Sequence, residues 1–405
     1  MKWSSTRRVH IILVKKSRTS EPVHTVSFCT LSTPVLVGEW ILGRRILVVL
    51  FLLPGITPLI SAQTPDSSHT YYFYSSLPYG SEATFNPFAM VINGGFDEFQ
   101  TYGREDNLFR TPWRVGATNV WKNITNPLPQ IRFYGTKRFI QNEIIPSSII
   151  KDRDQWFPNY TLHLFGGGME YRKAAEWYDA HGYPVPYVLS AVTTMTYHYI
   201  NEIVENGPYV GSNVDPIPDL LLFDPLGIVL FSFDGVSKFF SSELSFNDWS
   251  YQPAISLGPL AVRNIGQNFV VKYPITKSGG TSLFYHFGNF GMLGLSFKST
   301  TGEAISVGAG VISKGIYILG FDALTESIYT GPIVGVYYDR NNSLLASLVV
   351  MDSKKDILRA NVYPGMLSIA GFSPGVFLEY GVGNSLSVGF TAQWLPVGLG
   401  LHSQR

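Results

Sequence analysis

Charged residues make up only 15% of this 405-residue chain, against 14% aromatic residues and 39 glycines, whereas an ordinary soluble domain is roughly 25% charged. Few charges with many Gly, Tyr and Phe suit twisted sheets and membrane interfaces, and fit a large soluble sandwich less well. The formal net charge of +1 hides an asymmetry: residues 1–62 hold eight Lys/Arg and two Asp/Glu, so the remainder carries 22 and 27 and is acidic. No basic footprint remains, which excludes nucleic acid as a partner.

Arg44-Arg45 precedes an apolar run from Ile46 to Ile60, followed by Ser61-Ala62-Gln63. A basic start, a short apolar core and a small residue before the break predict a secretory signal peptide cut after Ala62. The run is interrupted by Pro54 and Pro58 and is short of the roughly 20 residues of a spanning helix. Residues 1–40 lack pattern, and no Met lies between Met1 and Met90, so a true start near Val35 or Val37 is the expectation. The only cysteine, Cys29, falls in this removed segment. The mature chain then has no disulfide, thiolate site or lipid-bearing cysteine. Residues 63–70 are expected to form a flexible tip.

Residues 63–155 look irregular and aromatic-rich, and Phe85 to Ile150 is expected to hold short helices and extended pieces between turns at Asn86-Pro87, Thr111-Pro112 and Asn126-Pro127. The segment 156–240 is expected to be a bundle of three main helices. The first spans about Pro158–Ala180, and the second spans about Pro186–Asn206 and stops at Gly207-Pro208. The third opens near Asp215-Pro216 and restarts at Asp224-Pro225, where proline suits a first turn.

On the second helix Ser190, Thr194, His198, Asn201 and Glu205 recur at helical spacing as a polar stripe, with Glu202 beside it. The other faces are apolar, so the stripe must find partners. His163 and Glu170 on the first helix, separated by Gly166-Gly167-Gly168, and Asp219 and Asp224 on the third are the candidates. Two readings stand. One is a satisfied polar network of His163, Glu170, Thr194, Asn201, Asp219 and Asp224 that fastens three helices. The other is a functional pocket in which His198 with Glu202 or Glu205 acts as base, metal ligand or headgroup contact. The spacing of His198 and Glu202 offers no third ligand of diagnostic separation. No metal site and no cofactor is therefore expected. No phosphate-cradling loop, Gly-x-Ser-x-Gly elbow or His-Glu-x-x-His helix is present. Asn123-Ile124-Thr125 and Asn159-Tyr160-Thr161 match glycosylation acceptors by chance.

Beyond Trp249 the period changes to two, and short runs alternate with tight turns such as Asn341-Asn342 and Gly383-Asn384. This predicts about 10–12 strands over residues 250–403, arranged as an antiparallel meander β-barrel. Across 281–351 only Lys298, Glu303, Lys314, Asp322, Glu326, Asp339 and Arg340 are charged. That is too few for a solvated outer face and favours membrane insertion. The expected class is α+β, a helical region followed by a barrel.

The block Asn159-Tyr160-Thr161-Leu162-His163, Gly168-Met169-Glu170-Tyr171-Arg172, Tyr199-Ile200-Asn201-Glu202 and Pro218-Asp219-Leu220 with Asp224-Pro225-Leu226-Gly227 resembles uncharacterised families of bacterial outer-membrane proteins. In these a short helical bundle precedes a small barrel. The resemblance covers about residues 156–235 and implies an envelope location without an activity. The expected function is an outer-membrane barrel with a helical plug or cap, serving structure, transport or binding. Its expected partners are outer-membrane lipid and other envelope proteins. The alternatives are an outer-membrane hydrolase or acyltransferase acting on lipid through His198 and Glu202 or Glu205, and a soluble periplasmic binding protein.

Overall fold

The computed structural model describes residues 70–100, 107–146, 155–257, 260–277, 279–318, 326–353, 355–393 and 395–403. The signal peptide, the start site and Cys29 lie outside them. The described chain is α+β, with nine helices before a 13-stranded, mostly antiparallel sheet.

Five of those helices occupy the stretch expected to be irregular: α1 Gly80–Thr84, α2 Pro87–Gly95, α3 Trp113–Thr125, α4 Pro127–Tyr134 and α5, which runs Thr136–Phe139 and continues as Ile140–Ile144. The expectation of three main helices is thus corrected. Proline had read as punctuation, but Pro87 and Pro127 occupy first-turn positions where a missing N–H costs nothing. Asn86 caps α2 by accepting the Ala89 N–H at 2.9 Å.

The three anticipated helices also form. α6 begins as Phe157–Gly167 and continues as Gly168–Ala180. α7 is Pro186–Asn206, with Gly207 at φ 54° as its stop. α8 is Pro216–Phe231 and is followed by α9, Asp234–Glu243, across an 84° bend. Among the described residues no single helix is long and apolar enough to cross a membrane, and only this bent pair has the length and composition to do so.

Two apolar clusters hold the helices to the sheet. Met90, Phe96, Trp113, Tyr197 and Ile200 pack with Val262 and Ile265, and Met169, Phe231 and Phe246 pack with Phe269 and Phe287. Buried ion pairs lock the approach: Lys173 Nζ lies 2.6 Å from Glu82 and 3.2 Å from Asp248. Glu176 accepts the backbone N–H groups of Tyr72, Phe73 and Tyr74 at 2.8–2.9 Å, which fastens the segment before α1. Asn123 and Asn159 are fully buried and donate to backbone carbonyls, so neither is a glycan acceptor.

The strands are β1 Asn247–Asp248, β2 Ala254–Leu257, β3 Leu260–Arg263, β4 Phe269–Pro274, β5 Thr281–Phe287, β6 Phe290–Lys298 and β7 Glu303–Ile318, then β8 Glu326–Arg340, β9 Ser343–Met351, β10 Asp356–Val362, β11 Gly375–Gly381, β12 Leu386–Thr391 and β13 Gly398–Ser403. From β4 to β13 each pairs with the next, a simple meander. The exception is β13, which runs parallel to β2 with Gly398 opposite Ala254.

The ladder ends at β1 on one side and β3 on the other, so the named strands form an open 13-stranded sheet rather than the closed barrel of 10–12 strands that was expected. The physical reason lies in one stretch. Asn264 at φ 48° and Gly266 at φ 152° take the chain out of regular extended geometry between β3 and β4, and Pro253, which has no N–H to give, lies between β1 and β2.

The register nevertheless runs through this gap. Asn247 faces Val270 and Ala254 faces Arg263 in the same hairpin alignment. Between them the N–H of Trp249 bonds Asn268 O at 2.7 Å and that of Tyr251 bonds Gly266 O at 3.2 Å.

Alternation sorts the two faces by chemistry. One face buries Trp249, Phe284, Met292, Tyr337 and Tyr363, together with the Lys272–Asp339 pair at 2.6 Å and Arg359, 3.3 Å from Glu379. The other face presents Leu293, Leu295, Val307, Val336, Leu348 and Phe390, each at least 40% exposed.

Candidate functional site

α6, α7 and α8 meet around a cluster that their sequences make polar within otherwise apolar helices. α7 supplies Ser190, Thr194, His198 and Glu202, all buried and each four residues apart. The stripe therefore continues through Glu202, not through Asn201 and Glu205. The buried set advances by three steps of four residues, each about 40° past a full turn, so the stripe winds slowly round the helix to reach Glu202. Asn201 turns to α2 and donates to Gly94 O at 3.1 Å, and Glu205 is half-buried.

His163 comes from a π-helical part of α6, where backbone bonds close at i→i+5, and Asp219 comes from a similar part of α8. A third wide turn, Ile140–Ile144, carries the buried Glu143. Such turns are rare and recur at functional sites, because they re-aim a side chain without ending the helix. The wide turns also part His163 from Glu170. Glu170 accepts a hydrogen bond from Gln267 at 2.5 Å instead of joining the cluster.

The geometry centres on Asp224. Its Oδ1 lies 2.9 Å from His163 Nδ1 and 3.2 Å from His198 Nε2. The two imidazole rings pack with centroids 4.7 Å apart at 31°. The other ring nitrogen of His163, Nε2, lies 3.6 Å from Asp219 Oδ2. One donor atom each from His163, His198 and Asp224 falls within 4.8 Å of the others, and the same holds for His163, Glu202 and Asp219. Glu202, Glu205 and Asp215 form a third such trio nearer the surface.

Close approach depends on the glycines. A Cβ on Gly167 would stand 2.7 Å from His198 Nε2, and one on Gly227 would stand 2.7 Å from the Leu164 carbonyl. The glycine triplet is therefore the opening through which His198 reaches His163.

The electrostatics are out of balance. His198 is held well below its ordinary value, first by burial and then by the charge of His163, so it is neutral at neutral pH. Glu202 and Asp219 are driven well above the carboxylate range by burial, and Asp215 and other neighbouring carboxylates add to it. Asp224 is raised by burial and partly relieved by His163. Among the described residues no Lys or Arg pairs with Glu202, Asp219 or Asp224. His198 Nε2, Glu202 Oε1, Asp219 Oδ1, Asp224 Oδ2 and Thr194 Oγ1 are all buried without a hydrogen-bond partner. The 3.2 Å contact between His198 and Asp224 is misaligned for a hydrogen bond, which is how both statements hold.

Sequence reasoning thus located His163, His198, Glu202, Asp219 and Asp224. Asp215 was seen only as a helix start, and Glu143 carried no signal because it lies on a short helix without an apolar stripe. Comparison of the chain with protein-family models, with curated proteins and with solved structures finds no match.

Proposed function

We propose that this chain is an exported β-barrel protein of the Gram-negative outer membrane, with its helical region packed on the barrel as a cap and a role in binding or structure. The observation that carries the reading is the sorting of the sheet's two faces. Leu293, Leu295, Val307, Val336, Leu348 and Phe390 are exposed, while Lys272, Asp339, Arg359 and Glu379 are buried on the opposite face. A water-soluble sheet reverses this arrangement, and a membrane barrel requires it.

Closure is supported by the common alignment of Asn247 with Val270 and of Ala254 with Arg263. If 247–257 and 260–274 each count as one interrupted strand, every strand has two neighbours and no edge is left. Closure matters because in lipid each backbone group must be paired within the protein. The face opposite the apolar one is filled by Trp249, Phe284, Tyr337 and Tyr363, which argues against an open channel.

The test is extraction and mobility. The protein is expected to resist carbonate extraction from envelopes and to migrate faster on gels when unheated. A folded chain that stays monodisperse without detergent would make it a periplasmic protein instead.

A second reading, a lipid-modifying hydrolase or acyltransferase using His198 with Glu202 or Glu205, is favoured by one observation. Asp224 sits against both imidazoles, the arrangement that orients a base. His198→Gln keeps a hydrogen-bonding side chain but cannot titrate near neutral pH. Loss of an envelope phenotype in a His198→Gln protein that folds normally would favour this second reading.

A further inference from the structure

We propose that His163, Glu202 and Asp219 bind a divalent first-row transition-metal ion, with Asp224 and His198 as the groups that shape the site. The inference stands apart from the membrane reading and rests on three observations.

The first is orientation. Asp224 Oδ1 holds His163 through Nδ1 at 2.9 Å, which leaves Nε2 turned towards Asp219 Oδ2, 3.6 Å away. That separation is too long for a hydrogen bond and leaves room for a cation between the two atoms.

The second is charge. Glu202, Asp219 and Asp224 are each at most 3% exposed, and no Lys or Arg pairs with them among the described residues. An isolated buried carboxylate is costly, and buried charges are normally paired or coordinate metals.

The third is orphaned ligand atoms. Glu202 Oε1 and Asp219 Oδ1 are buried without partners, and the donor atoms of His163, Glu202 and Asp219 already lie within 4.8 Å of one another.

One imidazole with two carboxylates is a mixed nitrogen and oxygen set. It suits Zn²⁺, Mn²⁺ or Fe²⁺ better than Mg²⁺, which prefers oxygen and keeps its waters. The Asp224–His163 bond is then the carboxylate–histidine contact that fixes the tautomer of a metal-binding imidazole. Three protein ligands leave a position for water or substrate.

The experiment uses the full chain in detergent, stripped with EDTA and titrated separately with Zn²⁺, Mn²⁺ and Mg²⁺. Bound metal and the unfolding midpoint are both read. Zn²⁺ or Mn²⁺ is expected to bind and raise the midpoint, because a ligand specific to the native state stabilises it. Asp219→Asn and Glu202→Gln are expected to abolish binding, and Asp224→Asn to weaken it about 10- to 100-fold. His181→Ala, which removes a ring stacked on Trp177, its bond to the Trp177 carbonyl and its contact with Tyr74, none of them part of the cluster, is expected to bind as wild type does. Folding of each variant is checked by circular dichroism. A folded wild-type chain that takes up neither Zn²⁺ nor Mn²⁺, or that prefers Mg²⁺, overturns the proposal, and this arm does not depend on any variant folding. Undiminished binding by folded Asp219→Asn and Glu202→Gln overturns it as well.

Discussion

Asp97 shows how one buried carboxyl links stability to pH. It lies between α2 and the sheet, and its Oδ1 accepts the Gln267 N–H at 3.0 Å and the Gln100 amide at 2.8 Å. Burial pushes its carboxyl up to about 7, and the Gln267 N–H only partly offsets this. The folded state therefore holds the proton more tightly than the unfolded chain does. Its stabilising share is complete below about pH 4 and is lost as pH rises towards 7. Asp97→Asn keeps the acceptor oxygen and removes the charge. It is expected to raise stability by a few kcal/mol at pH 8, at roughly 1.4 kcal/mol per pKa unit, and to change little at pH 4. Denaturant midpoints at the two pH values check this, and equal effects at both would refute it.

Among the helices, α7 was the most legible because its signals agree: a proline start, a Gly207-Pro208 stop and a single polar face. Its stripe was assigned with the wrong slope at one step, from His198 to Asn201 rather than to Glu202. Within residues 63–155 short helices were expected but not placed, for a different reason. Pro87 and Pro127 open helices there, yet proline marks a helix start and a helix break with the same letter. The wide turns of α5, α6 and α8 have no sequence signature, so the displacement of Glu170 from the cluster was out of reach. The α6–α8 crossing offers a test at this scale. A Cβ at Gly227 would press on the Leu164 carbonyl at 2.7 Å and on His163 O at 3.2 Å. Those are backbone atoms that cannot rotate away. Gly227→Ala is expected to cost about 1–3 kcal/mol through overpacking, despite the gain in helix propensity. An unfolding midpoint at or above wild type would contradict the close crossing.

The meander and its alternating faces were readable from strand spacing and scarce charge, but the parallel pairing of β13 with β2 was not. Local sequence holds no record of which distant strand a strand will meet. At this scale the membrane reading predicts an asymmetry between faces. Leu295 lies on the apolar face of β6, 40% exposed. Leu295→Arg is expected to cost about 2–4 kcal/mol near the bilayer midplane and less towards an interface, while remaining tolerated in a soluble protein. Folding yield into vesicles, compared with Leu295→Ala, measures the difference. Equal yields would place that face in water.

The parallel contact between β13 and β2 also sets an order of events. Gly398 meets Ala254 across most of the sheet's length in sequence, whereas every ladder from β4 to β13 joins consecutive strands. Local hairpins can zip as the chain emerges. The seam cannot form until β13 exists, because distant strands carry the largest loop-closure cost. Until then β2 and β13 are both bare edges open to a neighbouring chain. The six residues of β13 thus cover two strand edges at once, so the chain stays sticky between the synthesis of β2 and that of β13.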